Sequence, residues 1–164
     1  MAGSRITILI ALFLILSGLF IILKNPAEDS SDLPVKFYSY SEGLKLAERE
    51  NRPVLVYIHS DTCHVCKAFL EDLKKYEDLQ NAINKFIPVK VDFNSERLLA
   101  LKFGATGTPE FYVLYPNGSI MEINGRKMAF IGYSGSPDNE AMRKSLISFL
   151  EAAIHQWNAI RPVS

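Results

Sequence analysis

The chain has 164 residues, and its 18 lysines and arginines balance 18 aspartates and glutamates. Zero net charge removes any bulk electrostatic pull toward nucleic acid, and the length fits one domain of ordinary size plus an appendage. Hydrophobic residues make up 48% of the chain, and one segment accounts for the excess over a soluble protein.

That segment is Ile6–Leu23, uncharged and interrupted only by Thr7, Ser17 and Gly18. As a helix it would be about 27 Å long, near the thickness of a bilayer core. It has no polar face, which argues against a buried core helix. A cleaved signal peptide has an apolar run of roughly 7–15 residues and a small-x-small cleavage site. This run is longer and no Ala-x-Ala follows it, so residues 1–24 read as a single-pass membrane anchor held through residues 6–23. The alternative is a cleaved signal and a secreted or periplasmic product. Arg5 and the α-amino group argue for a cytoplasmic N-terminus, a signal that Lys24 dilutes. Residues 25–34 are polar and proline-flanked, as a linker is. A domain over residues 35–164 follows.

Val35–Tyr38 alternates and is expected to be a short strand. Ser39 to Glu42 has the form of a capping box, and Leu44, Leu46 and Ala47 continue a helix to about Glu50. Val54–Ile58 is a continuous β-branched apolar run, expected to be a strand buried on both faces. After a polar turn come Cys63-His64-Val65-Cys66 and a helical pattern with Ala68, Phe69, Leu70 and Leu73 on its apolar side. A break near Lys75 leads to a second helical stretch over Tyr76–Phe86. Ile87–Asp92 is the next strand. Ser95–Phe103 reads as a helix with Ser95 near its N-cap and Gly104 at its end. Thr106–Pro109 is a turn, and Phe111–Tyr115 a strand. Pro116-Asn117-Gly118 signals a hairpin that returns Ser119–Ile123 antiparallel. Asn124–Lys127 is a loop and Met128–Tyr133 a short edge strand. Ser136 as N-cap and Pro137 at the first position open the last helix. Its buried stripe is Met142, Leu146, Phe149, Leu150, Ala153 and Trp157. Strands alternating with helices, then a hairpin and a final helix, predict an α/β fold with a mixed sheet covered on both faces.

The two cysteines are the only ones in the chain, and their placement has a chemical reason. At a helix start, Cys63 faces unpaired backbone N–H groups and the positive end of the helix dipole, which favour thiolate over thiol. The thiolate is the species that attacks a disulfide. Cys66 lies about one turn on, on the same face, where it can resolve a mixed disulfide. Cys63 is thus the expected nucleophile and Cys66 the resolving thiol. A zinc site wants four ligands, and only His59, His64 and His155 could complete one, so no metal is expected. Covalent haem wants CxxCH, and Lys67 follows Cys66 here. A purely structural disulfide closing so short a loop would remove little chain entropy.

Several features in the right order make the chain resemble thioredoxin-like proteins, from about Val35 to Ala153. They are the strand-turn-helix carrying Cys63-His64-Val65-Cys66-Lys67, the strand Val89-Lys90-Val91-Asp92, and Phe103-Gly104-Ala105-Thr106-Gly107-Thr108-Pro109. The hairpin Tyr115-Pro116-Asn117-Gly118 completes the set. The resemblance implies a cis Thr108–Pro109 peptide beside the sulfurs, with Thr108 and Pro109 shaping a groove where an extended client pairs by strand addition. It also exposes departures. Thr62 stands where a tryptophan usually precedes the first cysteine, and Tyr57 where cytosolic thioredoxins carry a buried aspartate. Lys90 matches the lysine near that aspartate, and Asp61 is a candidate substitute acid. His64 is a candidate to stabilise the Cys63 thiolate. The tether and the dipeptide are similar to those of envelope thioredoxin-like proteins and of the C-terminal domains of thiol-disulfide interchange proteins. The resemblance implies a membrane-tethered, extracytoplasmic protein-disulfide oxidoreductase that needs no cofactor beyond the Cys63–Cys66 dithiol. Its partners would be cysteine-containing clients and a membrane thiol donor or acceptor. Reduction of client disulfides is the expected direction. Alternatives are an oxidant that inserts disulfides and a binding or chaperone module whose CxxC does not cycle.

Overall fold

The computed structural model describes residues 33–134 and 137–160. The expected anchor, most of the linker and Ser136 lie outside these residues. No helix among the described residues is long and apolar enough to cross a membrane.

Helix α1 (Tyr40–Glu50) opens on the expected capping box: Ser39 Oγ accepts the Glu42 N–H, and the Glu42 carboxylate accepts the Ser39 N–H. It ends at Asn51 in the left-handed region. Strand β1 (Val54–His59) is buried at every position. Helices α2 (His64–Lys75) and α3 (Glu77–Ile83) are separated by Tyr76, whose extended backbone makes the break expected near Lys75. The second helical stretch is shorter than its apolar spacing suggested and stops before Phe86. Strand β2 (Ile87–Asp92) has its expected bounds.

The remaining elements are α4 (Arg97–Phe103), β3 (Glu110–Leu114), β4 (Glu122–Ile123), β5 (Arg126–Lys127), β6 (Ala129–Ile131) and α5 (Glu140–Ile160). The main sheet runs β2-β1-β3-β6, with β1 parallel to β2 and antiparallel to β3, and β6 antiparallel to β3. Alternate residues of the strands feed two cores. Leu55, Tyr57, Phe111 and Val113 pack with Phe69, Leu73, Leu146, Leu150 and Trp157. Val54, Val56, Ile58, Tyr112 and Leu114 pack with Ala47, Ala100 and Phe103. Helices on both faces explain why β1 is apolar without alternation. Trp157 is a core residue, as its place in the α5 stripe implied.

Four expectations are corrected. Val35–Tyr38 forms only one bridge, Tyr38 to Val89, not a strand. Ser95 does not cap α4. The Asp92 carboxylate accepts the Asn94 and Ser95 N–H groups and the Ser95 hydroxyl, so Ser95 is spent in a turn and α4 starts at Arg97. Ser119–Ile123 does not return as one strand. Ile120 bridges Leu114, but Glu122–Ile123 pairs with Arg126–Lys127 around Asn124-Gly125. Both turn residues have positive φ, the geometry of a tight hairpin turn. Finally, Pro137 lies before α5, which begins three residues later. The Asn139 side chain accepts the Met142 N–H and caps it.

Candidate active site

The CxxC turn is held from below by the strand that precedes it and from the side by the loop after β2. The Phe93 N–H donates to the His59 carbonyl at 2.8 Å, and the Cys63 N–H to the Ser60 carbonyl at 3.1 Å. The Asn94 amide donates to Ser60 Oγ at 3.0 Å, and Ser60 and Thr62 share a hydroxyl contact at 3.1 Å. The turn therefore delivers Cys63 to the N-cap of α2, where its backbone is extended and its Sγ accepts the Cys66 N–H at 3.1 Å. Cys66 is buried and Cys63 half-exposed, so the outer sulfur is Cys63. The two are paired as a disulfide, with Cα atoms 5.2 Å apart.

The second wall is the loop after α4. Gly104 adopts φ 92° at the helix C-cap, a conformation that favours glycine. Thr108–Pro109 is cis, and the Thr108 carbonyl oxygen lies 3.6 Å from Cys63 Sγ. Sequence reasoning missed what fixes this loop. Glu110, buried at the start of β3, accepts at Oε1 from the Thr106 N–H, the Thr106 hydroxyl and the Gly107 N–H at 3.0, 3.1 and 2.9 Å. Its Oε2 accepts the Tyr112 hydroxyl at 2.5 Å. The available signal was a lone carboxylate in an otherwise apolar strand directly after the proline, since a charge at that depth needs partners.

Tyr57 is fully buried among Phe37, Phe69 and Phe111, and its hydroxyl reaches the Cys66 carbonyl at 3.4 Å. Burial raises its pKa beyond the ordinary tyrosine range, so at neutral pH it is a packed donor and not a base. The candidate tuning groups are His64, Asp61 and Lys90. His64 is the exposed first residue of α2. Asp61 is 70% exposed in its side chain and faces His59 Nδ1 at 3.8 Å. Lys90 also acts on His59, whose pKa is pushed down to about 4, first by burial and then by the Lys90 charge. Among the described residues one group offers metal-ligating atoms close together: those of His59, Asp61 and Asp92 lie within 4.8 Å of one another. Asp92 is already engaged in its turn and a lysine charge faces the histidine, so these residues are accounted for by the packing of the turn.

An outer half-exposed cysteine at a helix N-cap, a buried second cysteine and a cis-proline loop against the first define a dithiol site on a mixed sheet. The thioredoxin-like domain family model matches residues 40–129, over half of the chain, and the chain belongs to that family. A protein of Archaeoglobus fulgidus described as uncharacterized is 38% identical over 68 residues, 41% of this chain and 54% of that one. The chain thus spans about half the length of the curated relative it matches. A thioredoxin from Thermus thermophilus superposes with a TM-score of 0.61 at 23% identity, over 76% of this chain and 91% of its own. A disulphide isomerase from Xylella fastidiosa superposes with a TM-score of 0.54 at 19% identity, over 74% and 97%. At these identities the likeness shows the fold.

Proposed function

We propose that this chain is a membrane-anchored thiol-disulfide oxidoreductase whose domain, residues 35–164, reduces disulfides of client proteins outside the cytoplasm. The observation that carries the chemistry is Cys63 Sγ at the N-cap of α2 with the Cys66 N–H donating to it. That N–H and the helix dipole stabilise negative charge on Cys63 in the reduced protein. The Cys63 thiolate attacks one sulfur of a client disulfide, forming a mixed disulfide and releasing the other client sulfur as a thiolate. Cys66, deprotonated, then attacks Cys63 Sγ. This closes the Cys63–Cys66 disulfide and releases the second client thiolate, so two electrons pass to the client. A membrane thiol donor would restore the dithiol, and no other cofactor enters. The groove between Cys63 and Thr108–Pro109 would take the client chain.

The tether rests on the uncharged run Ile6–Leu23 and the linker after it. Retention of the full chain in the membrane fraction after alkaline extraction supports it, and release into the soluble fraction overturns it.

The chemistry is tested by titrating the Cys63/Cys66 pair against defined redox buffers with thiol alkylation, together with insulin reduction. A potential near roughly −270 mV, insulin turnover, and a mixed disulfide trapped by Cys66→Ala are expected for a reductant. A potential near roughly −120 mV would reverse the direction to disulfide insertion. Absence of any disulfide turnover would sink the enzyme reading and leave a binding module.

A further inference from the structure

Glu110 is a buried carboxylate, and its hydrogen bonds come from the loop that meets Cys63 and from one neighbouring side chain. Its side chain lies on the same sheet face as Tyr112 and Leu114, because residues two apart on a strand share a face. That face is the one covered by α1 and α4, while Cys66 belongs to the opposite core. Glu110 therefore braces the Thr106–Pro109 loop from behind, and the loop meets Cys63 on its other side. The three donors of the loop are two successive backbone N–H groups and a hydroxyl, so the carboxylate fixes main chain and not merely a side chain. Hydrogen bonds to a charged acceptor are about twice as strong as neutral ones.

Building on the oxidoreductase reading, we propose that Glu110 is a positioning residue that holds the Thr108 main chain in place to receive an extended peptide beside Cys63. It thereby favours polypeptide disulfides over small ones. A client that pairs by strand addition depends on where the Thr108 backbone groups stand, and binding is stronger when they are fixed in advance. A small aromatic disulfide needs only access to the Cys63 sulfur. Glu110 acts through Thr106 and Gly107 and touches neither sulfur nor client.

The test uses the full-length chain. One assay measures KM for insulin with dithiothreitol supplying electrons. The other measures the single-turnover rate of the pre-reduced protein with 5,5′-dithiobis(2-nitrobenzoate). Glu110→Ala is expected to raise the insulin KM about tenfold, the order of one lost charge-assisted hydrogen bond, and to affect the small-disulfide rate far less. Glu110→Gln is expected to rescue most of the loss. Its amide oxygen can accept the three loop donors, and its N–H can donate to the Tyr112 oxygen. An unchanged insulin KM in Glu110→Ala overturns the inference, as does an equal loss on both substrates. If Glu110→Ala does not fold, Thr106→Val removes one of the same bonds at an exposed position. A rise of about threefold in insulin KM is then expected, and no rise overturns the inference. Wild-type protein that reacts with neither disulfide would overturn the oxidoreductase reading itself, an outcome distinct from either of these.

Discussion

Asp72 and Glu110 are both buried carboxylates, and each accepts a tyrosine hydroxyl at 2.5 Å. What else they accept separates them. Glu110 takes two N–H groups of the loop that meets Cys63. Asp72 sits on α2, nine residues from Cys63 and about 13 Å along the helix axis. It accepts the Tyr133 hydroxyl and, at 2.7 Å, the Asp138 N–H. Around it Lys75 and Tyr76 both reach the Asp138 carboxylate, and the Arg143 guanidinium lies 3.7 Å from the centre of the Tyr76 ring. Those contacts tie α2 and the segment before α3 to the start of α5. A buried carboxylate is costly unless its lone pairs are filled, so its donors tell what it holds in place. One holds a loop at the dithiol, the other holds the architecture.

The largest effect that distinguishes them is expected at Asp72. Asp72→Ala leaves the Tyr133 hydroxyl and the Asp138 N–H without their acceptor in a buried setting. A loss of about 3 kcal/mol should follow, seen as a fall of roughly 10 °C in the thermal midpoint. The insulin KM should stay at its wild-type value in the fraction that is folded. A client KM that rises in Asp72→Ala as it does in Glu110→Ala would erase the distinction between the two carboxylates.

A smaller effect should appear in alkali, and at both sites. The Tyr112 and Tyr133 hydroxyls are pushed above the usual tyrosine range, first by burial and then by their bonds to Glu110 and Asp72. Above pH ~10 the unfolded chain releases these protons while the folded chain keeps them. The folded state then binds more protons, so stability is intact below about pH 10 and falls as pH rises beyond it. Denaturant melts from pH 8 to 12 should show this decline, and Tyr112→Phe with Tyr133→Phe should flatten it. Tyr57, raised by burial alone, should leave a residual slope. A decline unchanged in the double variant would mean that Tyr112 and Tyr133 do not carry it.

Much of this arrangement could be read from the chain, because it is local. The Ser39–Glu42 capping box, the buried β1 run and the CxxC at a helix start need only neighbours within a few residues. The α5 stripe down to Trp157 needs only periodicity. What escaped depended on competition among donors and acceptors. Ser95 has the chemistry of a cap, but the Asp92 carboxylate is closer to its hydroxyl and backbone N–H and takes both. Two hairpin signals compete after β3, and Asn124-Gly125 claims Glu122 and Ile123 for a separate ribbon. Asp61 and Lys90 were expected as tuning groups for the cysteines. The strand register pairs Tyr57 with Lys90 and His59 with Asp92, and Asp61 in the turn lies 3.8 Å from His59 Nδ1, so these charges act on the His59 imidazole. Glu110 was passed over because its partners come from a loop that has no pattern until it folds against the strand.

The smallest effect is expected at the rim of the Asp72 cluster. Lys75 Nζ and Asp138 Oδ1 are 2.5 Å apart, the shortest kind of ion pair, yet their side chains are 58% and 54% exposed. The contact lowers the Asp138 pKa and raises that of Lys75, each first through the hydrogen bond between them. Water and salt screen such a pair, so its net contribution to stability is small. Lys75→Ala leaves the Asp138 carboxylate with the Tyr76 hydroxyl and the Asp138 N–H on Asp72. The thermal midpoint should therefore drop by only about 2 °C at low salt, and by less at 0.5 M salt. A drop as large as that of Asp72→Ala, persisting in salt, would shift the anchoring of α5 from the buried carboxylate to the surface pair. Asp72 would then no longer be the architectural counterpart of Glu110.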